Sequence, residues 1–179
     1  TCALDLNKYY HLNNVHSFAP IKHNVSLKTI VTILNSNLMN FFYKKISLEE
    51  GRTMAQTDIE TLEKLPIKFY SSHFFELIHD YLAVLASNNK NIFDYLYKNI
   101  FDYCVYELYL KDKLDSNLLE IISPLIKDIS EVKNNEEKLR IIEDFIKKVN
   151  SSESIRREIQ KIKSYSWIKI IENKERNVT

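Results

Sequence analysis

Ile92-Phe93-Asp94-Tyr95-Leu96-Tyr97-Lys98-Asn99-Ile100-Phe101-Asp102-Tyr103-Cys104-Val105-Tyr106-Glu107-Leu108-Tyr109-Leu110-Lys111 is the stretch on which the fold turns. Its apolar side chains (Ile92, Phe93, Leu96, Ile100, Phe101, Cys104, Val105 and Leu108) fall on nearly every side of a helix rather than on one stripe. Such a helix is stable only with other elements packed around it, so residues 92–111 are expected to be central and buried.

The flanking sequence supplies those partners. Ser71-Ser72 can cap a helix running to about Ala86, with Phe74, Leu77, Ile78, Tyr81 and Leu85 inward. Ser87 to Asn91 is a polar break. Further helices are expected near 117–129, 135–149 and 153–163. Asn117/Glu120 and Asn134/Glu137 have capping-box spacing, with Asn in place of Ser or Thr. Pro124 falls inside the first of these and predicts a kink. Trp167 to Ile171 is an apolar tail that docks on the bundle, and Asn173 to Thr179 should fray.

Upstream the pattern changes. Residues 1–25 read as short strands bounded by Asn and Pro, and Pro20 suits a strand end. Residues 26–46 read as one helix capped by Ser26. Ile30, Ile33, Leu34, Leu38 and Phe41 form its apolar face, and Lys44 and Lys45 lie in its last turn. Ser47 to Gln56 is a loop. A short helix begins near Thr57, where Thr57 and Glu60 have capping-box spacing, and Pro66 stops it. The expected fold is therefore α+β, mostly α. A small strand-containing module with a long helix (1–70) precedes a helical bundle (71–179).

Composition removes several function classes. The 179-residue chain has a single glycine, Gly51, where ordinary usage gives roughly twelve. Phosphate loops and dinucleotide fingerprints need several glycines for close backbone approach. Cys2 and Cys104 lack zinc-ligand spacing. No apolar run approaches the roughly 20 residues of a membrane span, and no signal peptide is present, so a cytoplasmic location without membrane contact is expected. The net charge of +1 provides no global basic field. Residues 1–70 hold 8 basic and 6 acidic residues (net +2), and residues 71–179 hold 17 and 18 (net −1). A polyanion would meet the first part.

Most side chains that invite a catalytic reading have a plainer one. The five histidines (His11, His16, His23, His73 and His79) include no ligand pair at helical spacing with a third ligand nearby. Asp94 and Asp102 stand over two helical turns apart, which favours surface or cap roles over an acid–base pair. Tyr95, Tyr97, Tyr103, Tyr106 and Tyr109 could stack on bases, but on so apolar a helix packing is favoured. Arg156, Arg157, Lys161 and Lys163 alternate with Glu153 and Glu158, as a solvated face does. The segment Lys44 to Gln56 is more pointed. Lys44, Lys45 and Thr53 suit phosphate contacts, and Arg52 and Gln56 suit guanine and adenine edges. The lone glycine beside Arg52 marks a demanding turn. The same residues also suit a structural role, with Arg52 capping a helix end and Gln56 stabilising the turn.

Three segments in order sharpen that reading: Ile33 to Lys45, Gly51 to Gln56, and Leu62-Glu63-Lys64-Leu65-Pro66-Ile67. Together they resemble the TaqI-like C-terminal specificity domain. That domain is the target-recognition module of adenine-specific DNA methyltransferases and type IIG restriction–modification enzymes. The opening Ala3-Leu4-Asp5 and Tyr9-Tyr10 resemble its strand entering this helix. Asp102 to Tyr109 is similar to the D-x-x-V-Y-x-L-Y segment that follows such domains, and Arg157 to Ile171 is similar to their tail. The resemblance implies double-stranded DNA as partner, through Lys44, Lys45, Arg52, Thr53 and Gln56.

It also implies a bacterial or archaeal parent with an N-terminal methyltransferase domain that uses S-adenosylmethionine, with or without a nuclease domain that uses magnesium. This chain carries neither the Asn/Asp-Pro-Pro-aromatic motif nor the nuclease core of such parents. Beginning at Thr1, it reads as their C-terminal fragment, with no catalytic residue and no cofactor of its own. The rival reading is a helical protein–protein scaffold without nucleic-acid contact, supported by the near-zero charge and the aromatic bundle.

Overall fold

The computed structural model describes residues 2–7, 10, 15–17, 19, 26–47, 59–68 and 73–172. The chain divides into two compact units, Thr1–Ser71 and Ser72–Thr179.

In the first unit, α1 (Leu27–Leu34) starts where Ser26 Oγ accepts the Thr29 amide at 3.4 Å. The long helix expected over 26–46 is two helices. The Ser36 amide donates to the Ile33 carbonyl at 3.0 Å, which closes α1. Its side chain donates to the same carbonyl at 2.7 Å and accepts the Met39 amide at 3.3 Å, which starts α2 (Asn37–Ile46). Asn35, Ser36 and Asn37 all compete well with helical backbone bonds through their own side chains. The apolar spacing continues through the break, so periodicity alone does not show it. The short α3 (Ile59–Glu63) packs against α2, and Leu65 is buried just before Pro66.

The expected strands are not found among the described residues of 1–25. At the start of the chain the backbone bonds to a side chain rather than to another strand. The Cys2 amide donates to Asn35 Oδ1 at 2.8 Å, and Asn35 Nδ2 donates to the Cys2 carbonyl at 2.8 Å. Asp5 Oδ1 then accepts the Asn7 amide at 2.8 Å, a local turn that bends the chain away from extension.

The second unit is a helical bundle. Its α4 (His73–Asn88) and α5 (Lys90–Leu96) meet at Asn89, whose side chain caps α5 through the Ile92 amide at 3.1 Å. The expected central helix is interrupted by a π segment over Tyr97–Phe101, in which the Asp102 amide reaches five residues back to the Tyr97 carbonyl. Helix α6 (Asp102–Leu110) follows. From Ile100 to Leu108 every residue is buried, as expected of a helix enclosed on all sides. Tyr103 and Tyr106 point into this core, while Tyr97 and Tyr109 are half-buried and Tyr95 is exposed. Each fully buried Leu, Ile or Phe contributes about 1.5–3 kcal/mol through removal from water. Aromatic contacts add direction. Phe93 stacks on Tyr97 at 5.8 Å, Tyr97 meets Phe101 at a tilt at 5.4 Å, Phe75 meets Phe101 at 6.4 Å, and Tyr81 meets Phe145 edge-on at 5.5 Å.

Next come α7 (Leu118–Ile122) and a 3₁₀ turn over Ser123–Leu125. Pro124 ends this helix rather than kinking it, and Ile126 is extended. The Tyr81 hydroxyl satisfies both backbone groups of Lys127, each at 3.0 Å, and so ties the loop to α4. The last three helices are α8 (Asn135–Ser151), α9 (Glu153–Ser164) and α10 (Ser166–Ile171). Asn134 caps α8 through the Glu136 amide at 2.8 Å, and Ser152 caps α9 through the Ile155 amide at 3.4 Å. Helix α6 packs on α7 and α9, α4 on α8, and α10 on α9. The apolar tail docks as expected, with Ile168 and Ile171 buried.

Candidate nucleic-acid interface

Helix α2 ends in Lys44 and Lys45, both exposed. The negative end of the helix dipole favours cations in this last turn. Lys45 Nζ lies 5.7 Å from the centre of the Phe41 ring, and Phe41 meets Phe42 edge-on at 6.2 Å. The ammonium therefore stays near the helix surface over half-buried aromatics while remaining open to water. Ile46 beside them is 38% exposed. This patch can hold phosphate oxygens by charge. Of the residues expected to touch DNA, Lys44 and Lys45 are among those described. Arg52, Thr53 and Gln56, with Gly51, lie outside the described residues.

The other candidates resolve into local pairs. His73 meets Glu76 at 3.2 Å and His79 meets Asp80 at 3.3 Å, each within its own helix. His16 is exposed, and His11 and His23 lie outside the described residues. Asp94 pairs with Lys98 at 3.8 Å. Arg157 pairs with Glu153, and Lys161 with Asp115 at 2.8 Å. Among the described residues, no three His, Cys, Asp or Glu side chains stand together as metal ligands. Nor is any described helix long and apolar enough to cross a membrane.

The bundle holds its own buried polar chemistry. Glu107 is 2% exposed, and its carboxylate accepts the Leu119 amide at 2.7 Å. It supplies the cap of α7 that Asn117 was expected to give; the Asn117 side chain makes no such bond. The Asn117 amide instead donates to Glu158 of α9 at 3.3 Å. Burial pushes the Glu107 carboxyl above its usual range. The α7 amides and Lys111 pull it back down, and Glu158 pushes it up. Asp102 is wholly buried at the start of α6. Cys104 is wholly buried too, and burial, with Glu107 and Asp102 nearby, raises its thiol pKa and keeps it protonated. The Tyr103 hydroxyl donates to Glu172 at 2.9 Å, and Lys163 Nζ lies 5.0 Å from its ring centre. These groups brace α6, α7, α9 and α10. Asp102, for which the sequence favoured a surface or cap role, is instead enclosed as the first residue of α6, and the long-range partner of Glu107, twelve residues on, has no local signal.

Among the described residues the first unit is thus three short helices, of which α2 ends in an exposed cation pair, and the second is an aromatic bundle with internal polar braces. Comparison with protein families matches residues 1–67 to the TaqI-like C-terminal specificity domain. The match takes in the Asn35–Ser36 joint, both lysines and the Gly51 to Gln56 segment. It stops short of the bundle, and so does not reach residues 102–109 and 157–171, where the sequence also suggested a resemblance. Comparison with curated proteins and with solved structures found no match.

Proposed function

We propose that the first unit contacts duplex DNA as the target-recognition part of a restriction–modification enzyme. The observation that carries this is the match over residues 1–67 to a specificity domain, in a segment whose α2 presents Lys44 and Lys45 to solvent. Lys44 and Lys45, with Thr53, take phosphates. Arg52 and Gln56 read base edges. Phosphate contacts set register, and base contacts carry the sequence information. In the parent, a methyltransferase domain transfers a methyl group from S-adenosylmethionine to the amine of an adenine flipped out of the stack. The bundle serves as a scaffold within the parent.

The test uses duplexes selected by the wild-type parent and their single-mismatch relatives. Arg52→Ala or Gln56→Ala should cost about 1–3 kcal/mol on the selected duplex and relax preference at one position. If both variants discriminate as the wild type does, base reading by the Gly51 to Gln56 segment is wrong.

A further inference from the structure

The Asn35 carboxamide is used in an unusual way. Both of its ends engage the same distant residue: Oδ1 accepts the Cys2 amide and Nδ2 donates to the Cys2 carbonyl, each at 2.8 Å and across thirty-three positions of sequence. An asparagine carries one acceptor and one donor face in fixed relation, which matches the two backbone groups of a single residue. The Asn35 side chain thus does for Cys2 what a neighbouring strand would do. Its own backbone stays engaged with α1, the Asn35 amide donating to the Val31 carbonyl at 3.1 Å. The next residue, Ser36, is wholly buried and fixes the departure of α2. One two-residue joint therefore ties three things together: the end of α1, the start of the lysine-bearing helix, and the chain entering at Cys2.

We propose that Asn35 is a positioning residue for DNA recognition, holding the entering chain and α2 as one rigid piece so that the unit meets bases in a single register. This role rests on the DNA reading of the first unit. Neutral hydrogen bonds exchanged against water add little net stability. An apolar pair at this half-buried place would add comparable stability without defining a direction. What the carboxamide adds is orientation. Base readout needs side chains held to within about 0.5 Å, whereas long lysines on phosphates tolerate movement. Loosening the joint should therefore remove discrimination and spare bulk attraction to the duplex.

The experiment pairs a thiol readout with a selection readout, both on the full chain. Cys2 is half-buried, and burial holds its thiol pKa above the usual value, so alkylation by iodoacetamide should be slow in the wild type. Cys104 is buried and stays silent. Asn35→Ala should raise Cys2 alkylation by about ten- to hundredfold, the change in opening expected when two hydrogen bonds are removed. Asn35→Ser keeps a small neutral polar side chain at the end of α1 but is too short to engage both backbone groups of Cys2, so it should raise alkylation as well. It is the second variant if Asn35→Ala does not fold.

Each protein is then used to select from duplexes with a randomised centre. The proposal expects the wild type to enrich a subset and the variants to lose that enrichment, while their salt-dependent binding to unselected duplex is unchanged. If the variants enrich the same subset as strongly as the wild type while Cys2 reacts faster, the clamp is structural only and the proposal is overturned with the DNA reading intact. If Cys2 reacts no faster, the clamp does not hold the chain and the proposal fails on geometry. No enrichment by the wild type itself refutes the DNA reading, and the role given to Asn35 falls with it.

Discussion

The two units solve the same problem, how to turn a chain between helices, with different chemistry. In the first unit the turn from α1 to α2 is made by Asn35 and Ser36, whose polar side chains close one helix, open the next and grip Cys2. In the second, the passage from α5 to α6 is made without leaving helical geometry, by a π segment flanked by aromatic rings in contact. The polar joint fixes direction at modest energetic gain. The aromatic passage gains energy from burial and makes α6 the centre of a core. The contrast separates a unit organised around orientation from a unit organised around stability. It also suits the proposed division of labour, with contact to DNA in the first and support in the second.

Removing the Phe101 ring should produce the largest effect. Phe101 is wholly buried between Tyr97 and Phe75. Phe101→Ala should cost about 3–5 kcal/mol, the range for large aromatic truncations in a core, measured by urea denaturation of the chain. A loss below about 1 kcal/mol would mean that the π segment is peripheral and the contrast false.

The next effect distinguishes the bundle's buried polar brace from its apolar packing. Glu107 is held above its ordinary carboxyl range by burial, so its folded pKa exceeds its unfolded one. A raised carboxyl contributes stability below the unfolded value, and that contribution is lost as pH rises through the folded one. Glu107→Gln keeps an acceptor for the Leu119 amide and removes the titration. The stability of Glu107→Gln relative to wild type should therefore improve as pH rises from about 4 to 7. A difference constant across that range would show that Glu107 is solvated. Glu107→Ala removes the cap altogether and should cost about 1–3 kcal/mol at neutral pH.

A smaller effect is expected at the polar joint. Ser36→Ala deprives α2 of its cap and should cost about 0.5–2 kcal/mol, read as a shift in denaturation midpoint. A loss as large as that of Phe101→Ala would mean that the first unit also depends on this residue for its core.

The parts of this architecture that were legible in sequence were those set by local pattern. Ser26, Asn134 and the run from Ile100 to Leu108 each gave a sound reading because a cap or an all-round apolar helix is written within a few residues. The strands expected over 1–25 are not seen among the described residues, and nothing local shows that the Cys2 backbone bonds to a side chain thirty-three residues away. The single helix over 26–46 failed because Ile33, Leu34, Leu38 and Phe41 keep their spacing across the break. Three successive cap-forming residues, Asn35-Ser36-Asn37, were the available signal. At the candidate interface, exposure of Lys44 and Lys45 followed from their place in a last turn. The Glu107 cap of α7 stayed hidden because it is a tertiary contact between helices.

The central claim is that the lysine-bearing end of α2 meets the phosphates of duplex DNA, and a salt series tests it most directly. Affinity of the full chain for a fixed duplex should fall linearly on logarithmic axes as salt rises. Lys44→Ala and Lys45→Ala should each flatten that slope by about one, as expected when one phosphate is no longer neutralised by the protein. Binding that ignores salt, or a Lys44→Ala/Lys45→Ala double variant with the wild-type slope, would contradict the account.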